Sequence, residues 1–129
     1  PFKSTTPINN MAGKETNLIV NITVNPPQIA IIGPIKETTI QKLNARLPQI
    51  TTTAPGHNTR CAFECRDEPK HWYTELRTSF ANEELGQSFL MLVLLDALAE
   101  ENWRLKGTNA TNHDHDKVTY KFFLVNKMA

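Results

Sequence analysis

Between Asn17 and Asn25 the chain alternates: Leu18, Val20, Ile22 and Val24 fall on one side, while Asn17, Asn21, Thr23 and Asn25 accompany Ile19 on the other. A period of two marks a strand with one face buried. Pro26-Pro27 stops it, because proline brings no N–H to a sheet ladder, and Ile29–Ile32 reads as a short strand buried on both faces before Gly33-Pro34. The period then changes. Ile40, Leu43 and Leu47 recur at helical spacing, with Thr38 or Thr39 as the cap and Pro48 at the end.

From Gln49 to Asn58 the threonine-rich segment with Pro55-Gly56 predicts a hairpin or exposed loop. Thr59–Arg66 predicts a strand with Cys61, Phe63 and Cys65 inward. Asp67 and Pro69 then suit a helix start, and Trp72, Leu76 and Phe80 follow as one apolar stripe. Asn82 with Glu83 and Glu84 offers a second start, so Glu68–Glu101 is read as one bent helix or two. Phe89–Leu95 is apolar on every side, which predicts a helix covered all round, central in the fold or facing a partner. Trp103–Lys106 and Val118–Val125, joined by the polar stretch Gly107–Lys117, predict a terminal hairpin.

This order predicts an α+β domain: a mostly antiparallel sheet with helices packed on one face, a two-layer sandwich. It would be ferredoxin-like or a sheet curved around a central helix. Residues 17–127 are expected to form the domain, and 1–16 a disordered leader. Within that leader Pro1–Asn10 reads as a vector remnant ahead of a natural start at Met11-Ala12-Gly13.

Composition changes this picture little. A chain of 129 residues is long enough for one core, and 40% hydrophobic with 21% charged residues is too apolar for a disordered chain. The net charge of +1 supplies no global field toward nucleic acid or anionic lipid. The apolar run Phe89–Leu95 is far short of the roughly 20 residues that cross a bilayer. On a strand, Cys61 and Cys65 would stand about 13 Å apart, beyond disulfide reach, which predicts two reduced, buried thiols and an intracellular, cytoplasmic protein.

Four groups of residues offer chemistry. His113, Asp114, His115 and Asp116 have metal-ligand types, but alternating residues on a hairpin tip rarely converge on one point, so a solvated turn is expected and no metal. Lys36, Thr38 and Thr39 open a helix after a buried strand, where free backbone donors receive anions; the glycine-rich pattern of a phosphate loop is missing, so a capped helix start is the first reading. His57, His71, Cys61 and Cys65 hold a base and a nucleophile in nearby segments, although an apolar strand face keeps thiols protonated. Finally, Ile19, Phe123 and Val125, with Lys121, lie on the sheet face that a single helix layer leaves open.

That last group directs the functional expectation: a non-enzymatic protein–protein interaction or assembly module that self-associates, using Ile19, Lys121, Phe123 and Val125, with no cofactor. The alternative is a small-ligand binding protein or small enzyme with a pocket between sheet and helices, lined by His57, His71, Cys61 or Cys65. Nucleic-acid binding ranks below both, because only one aromatic joins the basic residues of the last hairpin.

Overall fold

The computed structural model describes residues 14–24, 27–50, 61–76, 83–113 and 117–128. Among these the elements are β1 (Lys14–Thr23), β2 (Gln28–Ile32), α1 (Glu37–Arg46) running into a 3-10 turn (Leu47–Ile50), β3 (Glu64–Arg66), β4 (His71–Glu75), α2 (Glu83–Glu100), β5 (Arg104–His113) and β6 (Lys117–Met128). The strands form one six-stranded sheet in the order β3-β4-β2-β1-β6-β5, with every pair antiparallel. The expected α+β class is therefore present.

Register explains where the core sits. Val20 stands opposite Ile31 and Phe122, and Leu18 opposite Leu124, so the inward residues of three adjacent strands make a continuous apolar floor. Leu18, Val20, Ile22, Ile29, Ile31, Phe122 and Leu124 bury against Ile40 and Leu43 of α1 and Leu90, Leu94 and Leu98 of α2 in one cluster. Full burial of such a side chain is worth about 1.5–3 kcal/mol.

Local devices fix the ends of these elements. Gly33 has φ +136, and a Cβ there would stand 2.8 Å from the Asn17 carbonyl oxygen and 2.8 Å from Leu18 Cδ1, so β2 leaves the sheet at a position that excludes a side chain. α2 closes with Asn102 at φ 68, its N–H donating to the Ala99 carbonyl at 2.9 Å while the Trp103 N–H reaches Leu98 at 3.0 Å. Asn126 Nδ2 donates to the freed Glu101 carbonyl at 2.9 Å, tying that helix end to β6. The helices are joined by Glu100, which accepts from Lys42 at 3.0 Å and from Arg46, and these hydrogen bonds hold its carboxyl down at about 2.

Several expectations change. Residues 71–75 are a strand, not the start of a helix: Trp72 pairs with Ile31 and Thr74 with Ile29, and these neighbours decide a stretch whose apolar spacing suited either period. Glu68–Glu101 is accordingly a strand followed by one helix, Glu83–Glu100. The polar stretch after Lys106 is also largely strand, since β5 continues to His113 as an edge, with a bulge between Leu105 and Gly107. And α2 is not enclosed. Leu90, Leu94, Ala97 and Leu98 are buried, while Leu85, Phe89 and Leu92 are 56%, 53% and 52% exposed. The core packs against the side of α2 that carries Leu90, Leu94, Ala97 and Leu98, so the remaining apolar positions meet water. β1 begins at Lys14, ahead of the expected Asn17 edge. Residues 14–16 of the expected leader thus belong to β1, while its residues 1–13, and residues 51–58 of the expected hairpin or loop, lie outside the described residues.

Candidate functional site

Two surfaces carry unusual side chains, and they lie on opposite sides of the domain. The first is the outer face of α2. Leu85, Phe89 and Leu92 recur at i, i+4 and i+7 and form one stripe, since these positions superpose on a helix. Ser88 within the stripe donates its hydroxyl to the Glu84 carbonyl at 3.1 Å, so its polarity is turned into the helix. The stripe continues through Leu95 into a recess of about 520 Å³ between the end of α2 and β5, lined by Asp96, Ala99, Trp103, Arg104, Leu105 and Leu124 among others. Leu105 is 47% exposed there, and the buried Trp103 Nε1 has no hydrogen-bond partner among the described residues. Exposed Glu84 and Asp96 stand at the two ends of the stripe, twelve residues or about 18 Å apart along the helix.

The second surface is the sheet face turned away from the helices. Ile19 faces Phe123, Asn17 faces Val125 and Asn21 faces Lys121 across β1 and β6, so the register gathers Ile19, Lys121, Phe123 and Val125 on that side. Phe123 is 38% exposed and the other three are half-buried. Beside this apolar part lies a polar groove of about 400 Å³, lined by Asn21, Thr23, Gln28, Ala30, Tyr73, Thr111, His113, Thr119 and Lys121. Five of its side chains are hydrogen-bonded among themselves. Lys121 Nζ donates to Asn21 Oδ1 at 3.0 Å, the Thr23 and Thr119 hydroxyls are 2.8 Å apart, and His113 Nε2 is 2.9 Å from Thr119 Oγ1. Arg66 stacks 3.9 Å from the centre of the Tyr73 ring.

The remaining sequence candidates do not meet. At the α1 start the expected threonine cap is missing: Lys36 holds the cap position, Thr39 is buried, and Thr38 is exposed. The Lys36 N–H, the donor an anion would seek, is taken by the Glu101 carboxylate at 3.1 and 3.2 Å. Cys61 is half-buried with its Sγ 3.6 Å from Asn44 Oδ1, and burial pushes its thiol up to about 11. Cys65 shares the core-side row with Trp72 and Ile31, as its expected inward facing requires, but it is exposed and not buried, because the strand shortens to Glu64–Arg66 at the sheet edge. Both thiols are free. His71 Nδ1 donates to the Pro69 carbonyl at 2.6 Å and its ring meets Tyr73 edge-on, so it is engaged locally and not with either cysteine. His57, Asp114, His115 and Asp116 lie outside the described residues. Among the described residues no three His, Cys, Asp or Glu side chains are placed to hold a metal, and no helix is long and apolar enough to cross a membrane.

Sequence reasoning missed the groove and Asn44. The groove residues are three threonines, two amides, Ala30, Tyr73, His113 and Lys121, drawn from five strands, and only the register aligns them. Asn44 sits on the polar side of a helical pattern, yet its Oδ1 accepts from the Phe63 N–H at 2.9 Å and pins the segment before β3.

No family model and no curated protein matches the chain. Its structure is similar to the crystal structure of a conserved kinetoplastid-specific protein from Trypanosoma cruzi, with a TM-score of 0.73 and 29% sequence identity over 87% of this chain and 98% of that one.

Proposed function

We propose that the chain is a non-enzymatic protein-interaction module that works through the outer face of α2. The observation that carries this reading is the exposure of Phe89 and Leu92, each more than half in water on one helical stripe with Leu85. Single exposed leucines are ordinary, but a stripe of large side chains continuing into a recess is the kind of surface that a partner buries. The reading takes the domain as two layers, with the helices as one and the sheet as the other.

Charge favours a heterologous partner. From Glu83 to Glu100 the helix has acids at 83, 84, 96 and 100 and no Lys, Arg or His. Glu100 is met by Lys42 and Arg46, Arg46 is also attracted by Asp96, and Glu84 and Asp96 stand at the ends of the stripe. The occupant that complements this is an apolar helix with a basic residue toward each end, in the helix-on-groove mode. A second copy of α2 would offer only carboxylates. Self-association through Ile19, Phe123 and Val125 is a separate arrangement that the same experiment reads.

Analytical ultracentrifugation tests the reading. The chain alone is expected to sediment as a monomer, and to form a one-to-one complex with a synthetic Leu/Lys amphipathic helix that Phe89→Ser/Leu92→Ser abolishes. A concentration-dependent dimer dissolved by the same double variant would assign the face to a second copy and overturn the heterologous partner.

A further inference from the structure

The groove on the open sheet face has a geometry of its own, independent of α2. Tyr73, Ala30, Asn21 and Lys121 stand in one row across β4, β2, β1 and β6, each directly opposite the next. With strands about 4.8 Å apart, Tyr73 and Asn21 are roughly 10 Å from each other and Lys121 is about 14 Å from Tyr73. Ala30, the smallest side chain of the row, leaves a slot between the ring and the amide. The next row begins with Glu75 of β4, opposite Gln28 and outside the groove lining, and continues through Gln28, Thr23, Thr119 and Thr111, which supply neutral hydrogen-bonding groups; His113 joins it through Thr119.

The charge of this groove is unbalanced. Lys121 is the one Lys or Arg among its lining residues, and no Asp or Glu is among them. Its contact with Asn21 is part-buried, and Lys121 takes part in none of the ion pairs among the described residues. A part-buried ammonium held by a neutral amide remains short of an opposite charge. The volume of about 400 Å³ falls within the span of small-molecule sites.

We propose that this groove binds a small phosphate monoester with a flat hydrogen-bonding body, the chemical class of a nucleoside monophosphate. The phosphate takes Lys121 and the hydroxyls of Thr23 and Thr119. The flat body lies over Ala30 beside the Tyr73 ring, which also carries Arg66 at 3.9 Å, and the amides of Asn21 and Gln28 hold its edges. No bond is made or broken. The site is on the opposite side from α2, so ligand and protein partner occupy separate surfaces.

The test is a ¹⁵N–¹H NMR titration of the intact chain with adenosine and uridine 5′-monophosphates, alongside the nucleosides and inorganic phosphate. Saturable shifts at Asn21, Ala30, Thr119 and Lys121 are expected with at least one monophosphate, with both the matching nucleoside and inorganic phosphate weaker by about tenfold or more. Lys121→Met should weaken binding by about tenfold with an unchanged melting curve, and Ala30→Leu should block the slot while Lys121 remains. The proposal is overturned by the absence of saturable shifts at these residues up to millimolar monophosphate. Equal binding of inorganic phosphate, or equal binding by Lys121→Met, overturns it as well.

Discussion

Leu92 and Leu94 are two residues apart on α2 and identical in chemistry, so their truncation isolates exposure. Leu94 is fully buried. Replacing it with alanine removes three carbon groups at about 0.8 kcal/mol each and leaves a cavity, a total of about 3–4 kcal/mol. Leu92 is 52% exposed, so about half the transfer term is lost, water fills the space, and the better helix propensity of alanine returns a few tenths. The expected loss is about 1 kcal/mol. Urea unfolding followed by circular dichroism resolves the two, because slopes of about 1–3 kcal/mol per molar translate the difference into a clear separation of midpoints. Similar costs for Leu92→Ala and Leu94→Ala would refute the reasoning, since Leu92 would then be covered in solution. A Leu92→Ala cost that grows with protein concentration would identify a second copy as the cover.

Three further outcomes follow from particular contacts. Gly33→Ala should lower stability by at least about 2 kcal/mol in the same unfolding assay, because φ +136 and the Asn17 carbonyl at 2.8 Å leave no place for a methyl group. Glu100, with its pKa lowered from 4.5 to about 2, contributes stability that is full above pH 4.5 and is lost as pH falls toward 2; Glu100→Gln should therefore flatten the melting temperature between pH 5 and pH 2 relative to the parent. Exposed Cys65 should react with iodoacetamide at pH 8 well before Cys61, whose thiol is raised to about 11, and equal rates by mass spectrometry would contradict the burial of Cys61.

Patterns with one consistent period were readable directly. β1 and the inward face of β6 alternate cleanly, and the apolar spacing of α1 survives as Ile40, Leu43 and Leu47 in the core. Trp72 and Leu76 misled because i, i+4 also fits a strand residue plus the first residue beyond it; pairing of Trp72 with Ile31 is a long-range fact absent from local spacing. β5 was hidden because an edge strand that extends past the core needs no apolar face, and nearly all its residues are exposed. Uniform apolarity at Phe89–Leu95 was read as all-round burial, but a sequence records which residues are apolar and not how much protein is available to cover them. The open-face set Ile19, Lys121, Phe123 and Val125 was legible as one side of an alternation, whereas the groove beside it depends on a register across five strands.

The most direct measurement of the α2 surface is an NMR titration with two synthetic amphipathic helices of about 18 residues, one Leu/Lys and one Leu/Glu. The Leu/Lys peptide is expected to shift amides from Glu84 to Asp96 and at Leu105 saturably, with the effect removed by Phe89→Ser/Leu92→Ser and absent for the Leu/Glu peptide. Equal response to the two peptides, or shifts confined to the open sheet face, would contradict a charge-matched docking surface on α2.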